Sequence, residues 1–285
     1  MIIRKIIMSI SAFIRLTRPL HIIKNISVFL PAFFYGVITE WRLFHNLVPT
    51  FIAFYIASCI VYILNDIFDR KEDALHPLKK TRPLASGKIT VRSALIMIVF
   101  LSILLLLFCI ISLRASINVL ILFYIILNIL YSSFFKKVII LDAITVSAGF
   151  ILRIVAGFVS IGYNTNYYLV IWIFLLAIII ALAKRIRRFP QTDRDTSETT
   201  IVEQTYTILS PIVVIVYYLF VSSLQSPYLL ISTILLQIGL IRFVYYLFYE
   251  NDYHSPFEIL FLDRKMQTII LSYIIFMLFF IYLID

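Results

Sequence analysis

The sequence predicts an all-α, polytopic membrane protein with about nine transmembrane helices, and three observations carry that reading. Hydrophobic residues make up 62% of the chain and charged residues only 14%, against about 25% charged in an ordinary soluble domain. Several apolar runs reach the roughly 20 residues that a helix needs to cross the hydrocarbon core. Six glycines and long Ile/Leu/Phe blocks without alternation do not fit a β-barrel.

The elements follow in order. Arg4, Lys5, Arg15, Arg18 and Pro19 break the first apolar stretch, and no small-residue cleavage site follows, so no removable signal peptide is expected. The first span is placed at 25–40, directly after Lys24 and Asn25, and the second at 46–64, where apolar sequence gives way to NDIFDRKED. The third and fourth, at 93–112 and 116–133, share a tight turn at 113–115. Lys136 and Lys137 precede the fifth, at 139–161, and Lys184 and Arg185 close the sixth, at 167–183. The seventh and eighth, at 206–224 and 227–248, are nearly contiguous, and Arg264 and Lys265 introduce the ninth, at 267–284. Cys59 and Cys109 fall within spans and are expected as buried thiols outside any disulfide framework.

Lys and Arg then set orientation. They concentrate before the first span, in 65–92, after the fourth and sixth spans and before the ninth, while the opposite loops offer little beyond Arg42 and Arg114. This places the amino terminus and the long loops 65–92, 184–205 and 249–266 in the cytoplasm and Asp285 outside, as expected for a bacterial inner membrane protein. The net charge of +10 is thereby an orientation signal, and no nucleic-acid partner is invoked. Without an internal repeat or a low-complexity linker, residues 1–285 are read as a single domain.

The chemistry centres on NDIFDRKED, residues 65–73. With helix continuing past Leu64, Asp66, Asp69 and Asp73 fall at i, i+3 and i+7 and stack on one face. An isolated D-x-x-D is more often a solvated loop. Here the cluster starts at the end of an apolar span and includes Asn65, so a cation is its natural partner. Oxygen-only donors favour a hard ion, Mg²⁺, which bridges one or two carboxylates to substrate phosphates. In HPLKKTRPLASGKI, residues 76–89, Lys79, Lys80, Arg82 and Lys88 place cations beside a metal-bound diphosphate. Orientation alone accounts for about half of them, and Arg82, between Thr81 and Pro83, is the strongest candidate. Tyr131, Lys136 and Asp142 flank the junction of the fourth and fifth spans. Arg153, three turns deeper, and Lys24, at the entry to the first span, are each open to two readings: ligand binder, or structural ion pair and snorkelling anchor respectively.

These stretches resemble the UbiA-type intramembrane prenyltransferases, whose N-D-x-x-D-x-x-x-D signature NDIFDRKED fits. RPLHIIKN at 18–25, YSSFFKK at 131–137, LDAITVSAGFILRIVAG at 141–157, KR at 184–185 and LDR at 262–264 are similar to the decaprenyl-phosphate phosphoribosyltransferase branch. The resemblance implies a UbiA-like bundle and a Mg²⁺ ion on Asp66, Asp69 and Asp73, with Asn65 beside them, holding phosphoribosyl diphosphate. A long polyprenyl phosphate in a groove open to membrane lipids is implied as the nucleophile. Lys24, Lys79, Arg82, Lys136, Arg153, Lys184 and Arg185 become phosphate binders, Asp66, Asp69 and Lys136 the catalytic group, and Tyr131 and Asp142 order the ribose or a basic neighbour. The run KRIRRF departs from the branch by placing Arg188 where many relatives carry an acid, with Asp193 and Asp195 further on.

Two alternatives follow. An aromatic or quinone-precursor prenyltransferase usually brings a second acidic D-x-x-x-D motif after the sixth span, where this chain has the basic KRIRRFPQTDRD. A transporter or flippase also uses intramembrane charge, but it would spread polar groups through the membrane and commonly show an inverted repeat.

Overall fold

The computed structural model describes residues 12–77, 79–186, 197–249 and 263–284. All regular structure among them is helical, as expected. Helix α1 joins a 3₁₀ stretch, Pro19–Phe29, to an α-helical turn, Leu30–Phe34. There follow α2 (Trp41–Phe68), the short α3 (Arg70–Leu75), α4 (Val91–Ser112), α5 (Ala115–Ser133) and α6 (Ile139–Ile161). Then come α7 (Tyr167–Ile186), α8 (Ser197–Ser223), α9 (a 3₁₀ turn, Pro227–Ile231, then Ser232–Tyr249) and α10 (Arg264–Phe279, prolonged by a π turn, Phe280–Ile284). Among the described residues seven helices are long and apolar enough to cross a membrane, and Ile22–Phe34 and Tyr167–Ala183 are shorter apolar helices.

Each expected span thus meets a helix, with shifted ends. The first is displaced as a whole, lying at 19–34 rather than 25–40, and α8 starts at 197 rather than 206. Gly36 adopts φ +70°, a conformation that Cβ-bearing residues disfavour, and Val37 N–H closes back onto Ala32 O at 3.0 Å. The second span is longer than expected, since α2 carries on four residues past Leu64 into the acidic stretch.

The described residues form two compact units. The first comprises the chain up to Phe33, Val37–Val138 and Leu152–Asn164. Its axis is α2, against which α1, α4 and α5 pack. Gly157 of α6 meets the backbone of α1 so closely that a Cβ there would lie 2.2 Å from Val28 O. At the carboxyl end of α2, Ala12, Leu16, Ile63, Leu84, Ile89 and Ala94 form a buried apolar cluster. Burying each large side chain is worth about 1.5–3 kcal/mol. The cluster thereby pins the stretch before α1 and the 79–90 loop onto α2. Cys59 and Cys109 are buried free thiols, as expected.

The second unit comprises Phe34–Gly36, Ile139–Ile151 and Thr165 onward. In it α7 packs on α8, and α9 on α8 and α10. Its interior holds aromatic contacts among Phe34, Trp172, Tyr217 and Phe220. The Tyr217 hydroxyl shares hydrogen bonds with Ser232 Oγ at 2.6 Å and the Tyr273 hydroxyl at 2.8 Å.

Candidate functional site

The acidic stretch keeps helical hydrogen bonding through the join of α2 and α3. Asp69 N–H donates to Asn65 O at 2.9 Å and Asp73 N–H to Asp69 O at 2.8 Å, so Asp66 and Asp73, seven residues apart, come to one side of the join. Asp66 and Asp73 are both 2% exposed, too buried for a solvated loop. Arg82 joins them, donating to Asp66 Oδ1 at 3.3 Å and Asp73 Oδ2 at 2.6 Å, and Lys79 Nζ lies 3.8 Å from Asp73 Oδ1. Lys136, in the turn Phe135–Lys137 after α5, pairs with Asp69. Asn65 donates to Asp69 Oδ2 at 3.0 Å and accepts from Ser132 Oγ of α5 at 3.2 Å.

Arg18, which the sequence marks as a charge interrupting the first apolar stretch and opening RPLHIIKN but not as a site residue, pairs with Asp66 and lies over the Tyr62 ring at 5.4 Å. Its φ of +50° just before Pro19 is a strained backbone state for a non-glycine residue, which costs about 1–3 kcal/mol. Among the described residues the carboxylates thus meet four cations: Arg18, Lys79, Arg82 and Lys136. Among the described residues no group of three or more His, Cys, Asp or Glu closes into a metal cage. An open row of oxygen donors suits Mg²⁺, which keeps water and substrate oxygens in its shell and needs only one or two carboxylates. Asp66 and Asp73, brought together on one guanidinium, and Asp69 beside Asn65 offer that row.

Deeper in the same unit, Arg153 of α6 is buried at 3% exposure. It donates from Nε to Asn25 Oδ1 at 2.6 Å and from Nη2 to Ser58 Oγ at 3.1 Å and the Tyr124 hydroxyl at 2.9 Å. Its guanidinium also lies over the Tyr124 ring at 4.5 Å. Sequence reading singled out Arg153 but not these partners. A buried Asn beside Lys24 carried some signal, whereas Ser58, Tyr124 and Ser132 are ordinary residues for a span. Lys24 and Tyr131 are half-buried in the first unit, on α1 and α5. Asp142, half-buried in the first turn of α6, belongs to the second unit. Lys184 and Arg185 lie in the last turn of α7, their side chains outside the described residues, as are Arg188, Asp193 and Asp195 entirely.

The second unit has its own polar knot. Asp263 caps α10 by accepting from Met266 N–H at 2.6 Å, and it also accepts from the Tyr246 hydroxyl at 2.5 Å and from Arg242 at 3.3 Å and 3.5 Å. Burial on its own raises the pKa of this carboxyl. The bonds from Tyr246, Arg242 and Met266 N–H outweigh that and hold it below the ordinary carboxylate value.

The model of the UbiA prenyltransferase family matches residues 28–263 of the 285. The chain belongs to the UbiA prenyltransferase family. A UbiA homolog from Archaeoglobus fulgidus, solved bound to GPP and Mg²⁺, superposes with a TM-score of 0.68 over 93% of this chain and 98% of that one, at 20% identity. The expected UbiA-like fold is therefore present. Among curated relatives, the decaprenyl-phosphate phosphoribosyltransferase of Corynebacterium glutamicum is 25% identical over 92% of this chain and 84% of its own length. The protein of the same name from Mycolicibacterium smegmatis is 27% identical over 65% and 59% respectively. Nodulation protein NoeC of Azorhizobium caulinodans is 29% identical over 62% and 57%. The chain spans 31% to 59% of the length of the first curated relatives it matches.

Proposed function

We propose that this UbiA-family chain transfers 5-phosphoribose from phosphoribosyl diphosphate to a polyprenyl phosphate, releasing diphosphate and forming polyprenyl-phosphoryl 5-phosphoribose for cell-envelope glycan synthesis. The observation that carries this reading is the row of Asp66, Asp69 and Asp73 met by Arg18, Lys79, Arg82 and Lys136. Such an array suits a metal-bound diphosphate leaving group with a second phosphate nearby. The donor's identity is supported by two relatives named for that reaction, at 25% and 27% identity. The basic run at 184–194, where a second acidic motif would serve a prenyl diphosphate, points the same way.

Asp66, Asp69 and Asp73 hold Mg²⁺, with Asn65 ordering Asp69. Bound there, the ion supplies neutralisation of charge on the departing diphosphate. A phosphate monoester is already anionic at neutral pH, so the acceptor needs no general base. Its oxygen attacks the anomeric carbon, the bond from that carbon to the diphosphate oxygen breaks, and the diphosphate leaves with the electron pair. Lys79, Arg82 and Lys136 stabilise that charge, and Lys24 and Arg153 bind the remaining phosphates. Tyr131 orders the ribose or a basic neighbour. The site faces the cytoplasm of a bacterial inner membrane, with the amino terminus on the same side.

Membranes containing the chain, given phosphoribosyl diphosphate, polyprenyl phosphate and Mg²⁺, should yield a lipid-linked phosphoribose of the corresponding mass. The second reading is prenyl transfer from a prenyl diphosphate to an aromatic or quinone precursor, favoured by the GPP-bound homolog of the same fold. Turnover only with that substrate pair would replace the first reading by the second.

A further inference from the structure

The buried layer around Asn25 contains a hydrogen-bond donor that the protein leaves unused. Asn25 is 0% exposed, and its Nδ2 has no hydrogen-bond partner within the protein. The orientation of this amide is not free to reverse. Arg153 Nε–H lies 2.6 Å from Oδ1 and can only donate, so Nδ2 cannot occupy that position. Both Nδ2 hydrogens are thereby left without a partner in the protein, in a site without solvent. Leaving a buried donor unpaired is costly, so native proteins pair nearly all of them, often with ligand or water.

The position of this layer narrows what would pair with it. Ser58 and Asn65 are seven residues apart on α2, and Tyr124 and Ser132 eight apart on α5. Each pair therefore shares a helix face, separated by about 10–12 Å of rise. Ser132 bonds Asn65 at the upper layer, and Ser58 and Tyr124 meet Arg153 and Asn25 at the lower one. The lower layer offers a guanidinium and an amide donor, an anion-selective pair, two turns inside the span from the acidic motif. A prenyl tail has no use for either group. A donor that carries a phosphate monoester as well as a diphosphate has a use for both layers, whereas a prenyl diphosphate has a use only for the upper one.

We propose that Asn25 Nδ2 and Arg153 seat a phosphate monoester, and that this group is the 5-phosphate of the donor. The assignment to the donor rests on the phosphoribosyl reading above. Asn25 is then the residue that distinguishes a phosphoribosyl donor from a prenyl one. Ser58 and Tyr124 act through Arg153 as positioning residues.

The test uses the full chain in nanodiscs, with ribose 5-phosphate as probe and EDTA present so that the acidic motif does not contribute. Wild type should bind the probe, and Asn25→Ala should weaken binding about 10- to 100-fold, the range for a lost bond to a charged group. The near-isosteric Asn25→Asp, which adds a charge facing the phosphate, should weaken it at least as much, so the inference stands on a second variant if Asn25→Ala fails to insert. In turnover, KM for phosphoribosyl diphosphate should rise by a similar factor, while KM for polyprenyl phosphate and the Mg²⁺ requirement stay unchanged. No binding by wild type, or equal binding by the variants, overturns the proposal: Nδ2 then serves a buried water. Displacement of the probe by farnesyl phosphate, with only the acceptor KM raised in Asn25→Ala, moves the seat to the acceptor and overturns the donor assignment. Loss of the parent reading looks different, since phosphoribosyl diphosphate would then fail as a donor for wild type while Asn25-dependent probe binding supported the seat.

Discussion

Removing Arg82 tests whether the carboxylates of the acidic motif are a metal platform or a static ion-pair network. Arg82 bridges Asp66 at 3.3 Å and Asp73 at 2.6 Å, with the two carboxylates 3% exposed and the guanidinium 27% exposed. Breaking a fully buried pair costs about 3–5 kcal/mol. Here the guanidinium is partly screened by solvent, and each acid keeps another cation, Arg18 for Asp66 and Lys79 at 3.8 Å for Asp73. Arg82→Ala should therefore lower stability without metal by about 2 kcal/mol, near the value of one charge-assisted hydrogen bond. If the acids take Mg²⁺, the ion competes with Arg82 for the same carboxylate oxygens, so the variant should bind it more tightly than wild type. Wild type gains from the ion too, so at saturation the gap narrows by about 1.4 kcal/mol for each tenfold by which the variant binds Mg²⁺ more tightly. Thermal unfolding of the purified protein in detergent, with EDTA and across a Mg²⁺ titration, reads both quantities. Equal destabilisation with and without saturating Mg²⁺ would refute the reasoning, because Arg82 would then serve the fold and the acids would not take the metal.

Other outcomes follow from the same structure. Asp66→Asn and Asp69→Asn should each give properly inserted protein without Mg²⁺-dependent turnover, and intact turnover in both would remove the metal role. Gly157→Ala should lower the yield of folded protein sharply, by about 3 kcal/mol of overpacking, because its Cβ would lie 2.2 Å from a backbone oxygen that cannot rotate away. Size-exclusion profiles of the solubilised variant check this. Asp263→Ala should cost about 1–2 kcal/mol near neutral pH through the lost cap and side-chain bonds. Because the folded-state pKa of Asp263 is depressed, the charge-dependent part of that stability is present above the usual carboxylate range. It is lost as pH falls through the folded value. The gap between wild type and variant should therefore narrow in acid, and a gap that widened there would contradict the direction of the shift.

The sequence by itself determined the helical membrane class, the approximate place of each span and the existence of an acidic platform at the end of the second. These are properties of local runs: hydropathy sums over about 20 adjacent residues, and i, i+3, i+7 spacing needs only a continuing helix. NDIFDRKED was legible because carboxylates are costly beside lipid, whatever the rest of the chain does. Other features depended on packing. Tertiary structure brought Arg18 to Asp66 across 48 positions and Asn25 to Arg153 across 128. It also buried Ser58, Tyr124 and Ser132, which nothing in their neighbourhoods marked. The first span moved toward the amino terminus because a left-handed turn at Gly36 ends it early, a backbone choice that hydropathy does not register. Which cation meets which acid depends on how helices α1, α2, α5 and α6 approach one another. That approach is set by close-packed contacts such as Gly157 against Val28 O and Leu84 in its apolar cluster, which no one-dimensional pattern encodes.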